Sequence, residues 1–383
     1  MKKIILLVSL CISLQGFSQI IKDSVLSRKM DKYRDLSVSV PKSYDKNSKK
    51  TYPLILLLDG DYLFDAFQGA LSYGNYWDDL PEAIVVGLHQ NKDGQRFDDC
   101  TVDSETGLPD GQGTKFFEFI GGELLPYIQS KYKIGAFKMI AGHDLTAGYI
   151  NLFLYKDNPI FNAYACLSPE LFTEMETRIP SRLSAQQSNI FYYLSSSDGD
   201  IKKMREDITM LDQNIKTVTN TKLNYRYDEI KGTTHYSLVL HSVPNLLYYF
   251  FASYQPITTS EFQEKIVKLE SGYVDYLKNK YDVLEKTLGI KMPVRINDFR
   301  AIEAAIMKNK AYSEFESLAQ VASKSYPKAM LSEYYMGRYY ELSEDMKRAV
   351  KSYQNAFTME PIGELTKDAM LEKANALRTQ IKK

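Results

Sequence analysis

The chain has 383 residues, 44% hydrophobic and 25% charged, which is long for one ordinary core and reads as a globular protein of two domains. Its 48 basic and 48 acidic residues cancel, so neither a nucleic-acid nor an anionic-membrane partner has electrostatic support. The aromatic share, 13% with 29 Tyr and 1 Trp, fits tyrosines spread through cores and their rims.

The opening stretch, MKKIILLVSLCISLQGFSQ, sets two lysines before an apolar run from Ile4 to about Leu14 and small residues at Gly16 and Ser18. This pattern predicts a secretory signal peptide over residues 1–18, too short to span a membrane, with cleavage after Ser18 leaving Gln19 first. Cys11 follows the bulky Leu10, which argues against lipid attachment, so the expectation is a soluble periplasmic or secreted protein. Loss of Lys2 and Lys3 makes the mature chain slightly acidic. Cys100 and Cys166 then remain, and an oxidising compartment can pair them or leave them as buried thiols.

Next come short apolar runs alternating with helical stretches, the pattern of strands and crossover helices in a largely parallel sheet. The predicted strands are DLSVSV (35–40), PLILLLD (53–59), AIVVGL (83–88), FKMIAG (137–142), AYACLS (163–168), IFYYLSS (190–196) and LNYRYDEI (223–230). The central ones are continuously apolar, as strands covered on both faces must be. Between them, residues 116–132, 147–157 and 200–218 carry apolar positions three or four apart and predict helices against the sheet.

After about Tyr254 the strand signal stops and the chain reads as helices to the end. Met336, Gly337, Tyr340, Ala349, Tyr353, Ala356 and Pro361 fall at the small, aromatic and proline positions of one tetratricopeptide-like helical hairpin, with a weaker copy in residues 301–327. One or two such repeats cannot bury their apolar faces alone, so this module is expected to pack on the first domain or to offer a groove to a protein partner. The predicted organisation is therefore a signal peptide at 1–18, a sheet domain at 19–254 and a helical domain at 255–383.

Within the sheet domain four features follow in order: DSVLSRKMDKYRDLSVSVPKSY, YPLILLLDGDYLF, EAIVVGLHQNKDGQRFDDCT, and FFEFIGGELLPYIQSKY leading into FKMIAGHDLTAG. As an ordered set over about residues 24–251 they resemble the putative-esterase family of α/β-hydrolases, which includes enterochelin esterases and esterase D. The resemblance implies an α/β-hydrolase fold, a mostly parallel central sheet with helices on both faces, and carboxylic-ester hydrolysis of a small-molecule ester or polar ligand. No cofactor is expected. The sequence agrees, with 4 His, no paired His or Cys spacing of the zinc-binding kinds and no Gly-rich phosphate loop.

In such a fold the nucleophile stands on a sharp turn between a strand and a helix, flanked by small residues. Here FKMIA is the strand, Gly142 the leading small residue and AGYINLFLY the helix, but Asp144 occupies the nucleophile position. Thr146, β-branched, replaces the second glycine and is expected to crowd the turn. The resemblance places the catalytic base at His235 in EIKGTTHYSLVLHS and the orienting acid at Asp198 in IFYYLSSSDGD, with Asp200 as the near alternative. The oxyanion hole would use the backbone N–H groups of Leu145 and of Asp61 in the DGDY loop. The resemblance makes Arg96 a pocket-side arginine, expected to fix its loop through Asp98 or Asp99 or to meet an anionic substrate group. His143 is expected beneath the turn, His241 on a closing helix, and His89 in a loop after a strand end.

An aspartate at the elbow removes serine-type acyl transfer, because attack on an ester carbonyl gives a mixed anhydride and leaves the histidine no hydroxyl to deprotonate. Carboxylate attack on an alkyl carbon, as in enzymes resembling haloalkane dehalogenases and epoxide hydrolases, needs a cap that the short segment 169–189 does not suggest. Two functions follow: an exported esterase-type hydrolase with Asp144, His235 and Asp198 as its triad, or a catalytically inactive relative that binds a ligand or an envelope partner.

Overall fold

Runs such as YPLILL and IVVGL have no polar face to turn toward water, and they form the interior of one eight-stranded sheet. The computed structural model describes residues 20–381, so the predicted signal peptide lies outside the described residues. The strands are β1 (Ile20–Ser27), β2 (Lys32–Ser39), β3 (Tyr52–Leu57), β4 (Ile84–Leu88), β5 (Ile134–His143), β6 (Ala163–Leu167), β7 (Ile190–Gly199) and β8 (Leu223–Thr234). Their order across the sheet is β1-β2-β4-β3-β5-β6-β7-β8. β1 and β2 form an antiparallel hairpin, β2 runs antiparallel to β4, and every other neighbouring pair is parallel. Each predicted strand is present. β1 escaped the sequence reading because it is an edge strand with alternating exposure and no continuous apolar run.

Of the predicted helices, residues 200–218 contain Lys202–Lys216. Residues 116–132 are a composite, with α-helix at Gly111–Phe119 and Leu125–Lys131 joined through a π-helical turn, Ile120–Leu124. Residues 147–157 begin as one α-helical turn, Leu145–Tyr149, and continue as a 3-10 helix, Ile150–Tyr155. The 17-residue helix Gly60–Tyr76 was not predicted, since Gly60, Gly69 and Gly74 interrupt its apolar spacing. The first of these glycines has a packing reason. A Cβ on Gly60 would stand 2.5 Å from the carbonyl carbon of Gly87, so the first turn of this helix rides directly on β4.

The described chain divides into two compact units, one running to Ala252 together with Thr287–Gly289, the other comprising Ser253–Lys286 and Ile290–Lys383. The second unit is all-helical. Ile296–Asn309 with Glu314–Ser325, and Leu331–Leu342 with Met346–Phe357, are successive helix pairs, followed by Lys367–Ile381. Phe299, Ile302, Ile306, Phe315, Leu318 and Tyr335 fill its main core. Gly337 permits the close approach of the second pair, because a Cβ there would lie 2.5 Å from the Tyr353 ring. No helix among the described residues is long and apolar enough to cross a membrane.

Because Gly60 and Gly87 touch through backbone, Gly60→Ala must push helix from strand, at a cost of about 1–3 kcal/mol in folding free energy. Urea denaturation of the variant against wild type checks this.

Candidate functional site

β5 ends in a turn whose backbone only a few residue types tolerate: Asp144 has φ 59° and ψ −121°. Three backbone bonds hold it there. Asp144 N–H donates to Leu167 O at 3.0 Å, and its carbonyl accepts from Gly148 N–H at 3.1 Å and Glu170 N–H at 3.0 Å. Gly142 makes room beneath, since a Cβ there would sit 2.7 Å from the Thr146 carbonyl. Leu145 opens the following helix, so its N–H has no intrahelical acceptor and adjoins the elbow.

The Asp144 carboxylate, one quarter exposed, lies between two nitrogen bases: Oδ2 is 3.2 Å from Arg96 Nη1 and Oδ1 is 3.6 Å from His235 Nε2. His235, immediately after β8, gives its Nδ1 to Asp200 Oδ1 at 2.7 Å. The carboxylate that meets His235 is that of Asp200, the near alternative, and not that of the expected Asp198. β7 continues through Gly199 instead of stopping at Ser196, and its register with β8 shifts between Ser197 and Gly199. That irregularity turns Asp198 outward, where it accepts the N–H groups of Gly232 and Thr233 and secures the end of β8. A tight turn, with Asp200 N–H on Ser197 O at 3.2 Å, returns Asp200 to the interior. Burial opposes ionisation of Asp200, but hydrogen bonds from His235, the Ser168 hydroxyl and Ser197 N–H outweigh it and hold the carboxyl below its usual range.

Arg96 does not bind Asp98 or Asp99. Its Nε donates to Asp59 Oδ1 at 2.6 Å, and Nη2 to Asp59 Oδ2 at 3.1 Å and to His143 O at 2.9 Å. Asp99 pairs instead with Arg34, both side chains fully buried. Asp59, 2% exposed and in left-handed backbone at φ 51°, was not singled out from sequence, where it is merely the acid ending an apolar run. It also accepts the Thr146 hydroxyl at 2.6 Å and the Tyr62 hydroxyl at 3.0 Å. Thr146 therefore does not crowd the turn. Its hydroxyl accepts from His143 N–H at 3.0 Å and is fully buried, tying the elbow to Asp59.

His143 packs beneath the turn, its ring centroid 4.6 Å from that of His235. Nε2 lies 2.9 Å from His235 O, which can only accept, so Nε2 carries the proton; Nδ1 is then an acceptor 2.9 Å from the Tyr62 hydroxyl, whose one proton is shared between it and Asp59. Burial, reinforced by the neighbouring His235, holds His143 below its ordinary pKa. Burial and then Asp144 raise the Glu170 carboxyl.

Asp61 lies in the first turn of Gly60–Tyr76, where N–H groups lack intrahelical acceptors, but its carboxylate points to His89 and Gln90. His241 is exposed on the helix Leu238–Phe250. Cys100 and Cys166 are buried free thiols, Cys166 pushed up to about 12 by burial. Among the described residues no group of three or more His, Cys, Asp or Glu is arranged to hold a metal ion.

A strand-elbow-helix carrying Asp144, a histidine after the last strand and an acid at the end of the preceding one reproduce the layout of a hydrolase site without its hydroxyl. A family model described as putative esterase matches residues 27–231. The chain belongs to that family. An uncharacterised protein from Capnocytophaga ochracea is similar over 94% of this chain and 100% of its own, at 27% identity and a TM-score of 0.86. An IroE-like serine hydrolase from Shewanella oneidensis aligns over 80% of this chain and 99% of its own at 18% identity and a TM-score of 0.58. The BES protein from Bacillus cereus aligns over 61% and 97% at 24% identity and a TM-score of 0.53. The last two likenesses speak to the fold. No curated protein matches the chain.

Two tests address the network. Thr146→Val keeps the shape and removes the hydroxyl from Asp59, costing about 1.5–3 kcal/mol in urea denaturation. His143, with its folded pKa depressed, contributes stability that is present above the unfolded value of about 6.5 and is lost as pH falls below it toward the folded pKa. The wild-type urea midpoint should therefore drop more between about pH 7 and about pH 5.5 than that of His143→Gln.

Proposed function

We propose that this chain is an exported esterase-family protein whose elbow has given up acyl transfer and serves as a binding site for a small polar ligand. The observation that carries the reading is the position of the Asp144 carboxylate, 3.2 Å from Arg96 Nη1 and 3.6 Å from His235 Nε2. A carboxylate shared between a guanidinium and an imidazole is a compensated charge, and it offers the imidazole no proton to remove. Export rests on the N-terminal sequence pattern. The helical unit, built of helix pairs, is the part suited to a protein partner in the envelope.

A second reading is favoured by one observation, the retained bond between His235 Nδ1 and Asp200, which is the arrangement that activates water. In that reading Asp144 attacks an alkyl carbon and His235-activated water cleaves the resulting ester, so epoxides and haloalkanes would be substrates.

The reading is tested by restoring the hydroxyl. Asp144→Ser should raise turnover of p-nitrophenyl acetate roughly tenfold or more over wild type, and adding His235→Ala should return it to the wild-type level. An Asp144→Ser variant no faster than wild type sinks the claim that Asp144 is what silences the elbow. Wild-type turnover of an epoxide or haloalkane that vanishes in Asp144→Asn establishes the second reading instead.

A further inference from the structure

The elbow lacks a hydroxyl nucleophile, yet a complete serine-histidine-aspartate set stands elsewhere in the same unit. Ser37 lies on β2, opposite Lys22 of β1 on one side and Gly87 of β4 on the other. Its Oγ is 2.7 Å from Nε2 of His89, which follows directly on β4. His89 Nδ1 is 2.9 Å from Asp61 Oδ1, and Gln90 N–H fixes the other oxygen of that carboxylate at 2.8 Å. We propose that Ser37, His89 and Asp61 form a second hydrolytic centre that cleaves small polar carboxylic esters.

The direction of each hydrogen bond supports the assignment. Lys22 Nζ lies 2.8 Å from Ser37 Oγ, and an ammonium has only donors, so the serine oxygen accepts there. With Nδ1–H directed at Asp61, Nε2 of the neutral imidazole is the acceptor that faces the serine proton. This is the tautomer in which a histidine receives a serine proton while a carboxylate steadies the imidazolium that forms. The ammonium of Lys22, 2.8 Å from Oγ, favours the serine oxygen's taking on negative charge as its proton leaves.

Access is through Lys22. Ser37 is 1% exposed and lies behind the recess wall, while Lys22, exposed and bonded to its Oγ, lines the recess, so a swing of that side chain is what would uncover the serine. The side chains of His89 and Asp61 are 20% and 26% exposed and open into a recess of about 550 Å³, whose lining also includes Lys92, Asp35 and Asp23. Lys22, Lys92, Asp23, Asp35 and Asp61 give the wall both charge signs, with apolar carbon of Leu36 beside them, which suits a small ester bearing a polar group.

In the reaction Ser37 Oγ bonds to the ester carbonyl carbon while its proton passes to His89 Nε2. The carbon–oxygen bond to the alcohol then breaks, and the alkoxide leaves with the proton from Nε2. Water, deprotonated by His89, attacks the acyl-serine; the acid departs and Ser37 regains its proton. No metal, oxidant or further reactant enters.

The test uses the full chain and a biotinylated fluorophosphonate, with the modified peptide identified by mass spectrometry. The adduct is expected on Ser37, with labelling about a hundredfold slower in His89→Ala. Ser37→Cys is expected to lose the fluorophosphonate adduct and gain alkylation by iodoacetamide at the same position. Circular dichroism establishes that each variant is folded. Labelling of the wild type decides the matter even where a variant does not fold: no adduct on Ser37 overturns the proposal. An adduct that forms at an undiminished rate in folded His89→Ala overturns it too.

Discussion

The sheet unit is organised around a carboxylate that water hardly reaches. Asp59 is 2% exposed and would be prohibitively costly as a lone charge, so its two oxygens draw in the Arg96 guanidinium and the Thr146 and Tyr62 hydroxyls. Each of these donors belongs to a different part of the unit: a short helix after β4, the elbow, and the helix after β3. Satisfying one charge thereby sets the spacing of three segments. The arrangement extends further, since Gln90 accepts from Asp59 N–H at 3.0 Å and donates to Asp99 at 2.9 Å, where Arg34 completes a fully buried pair. A continuous polar spine thus runs from the hairpin edge of the sheet to the elbow.

That spine explains why Asp144 is held as it is. Arg96 is fixed by Asp59 before it meets Asp144, so the second carboxylate joins a pre-set guanidinium instead of recruiting a mobile one. On the other side His235 is fixed by Asp200, which Ser168 and Ser197 secure in turn. The elbow keeps the precision of a reaction centre although its central residue has become the shared partner of two bases. Geometry of this kind suits recognition of a ligand that competes for Arg96 or for Asp144.

How far the site could be read from sequence depended on whether each residue answers to local or to long-range constraint. The elbow strand and its glycine were legible, because FKMIAG must be a strand buried on both faces and Gly142 must approach Thr146. His235 was legible from its place after the last strand. Asp198 was chosen over Asp200 because strand length was read from apolar character, which fades at Ser196, whereas pairing with β8 carries β7 on to Gly199. Asp59 left no local trace at all. Its importance comes chiefly from Arg96 and Thr146, which lie near it only after folding, and the same separation hid the Ser37, His89 and Asp61 set across three segments.

Thr146 stands where the fold ordinarily leaves a space, and that exchange bears on how this protein can change. A glycine keeps an elbow open by having nothing there, and it can be joined to any surroundings. A threonine keeps this elbow in shape through a bond to one particular buried acid, so positions 146 and 59 have become a lock and its key. Changing Thr146 alone takes from Asp59 one of its donors while Arg96 and Tyr62 remain, so a glycine at 146 would loosen the tie between turn and acid. The shape of this turn is thus held from beside it, by a bond that a glycine could not make.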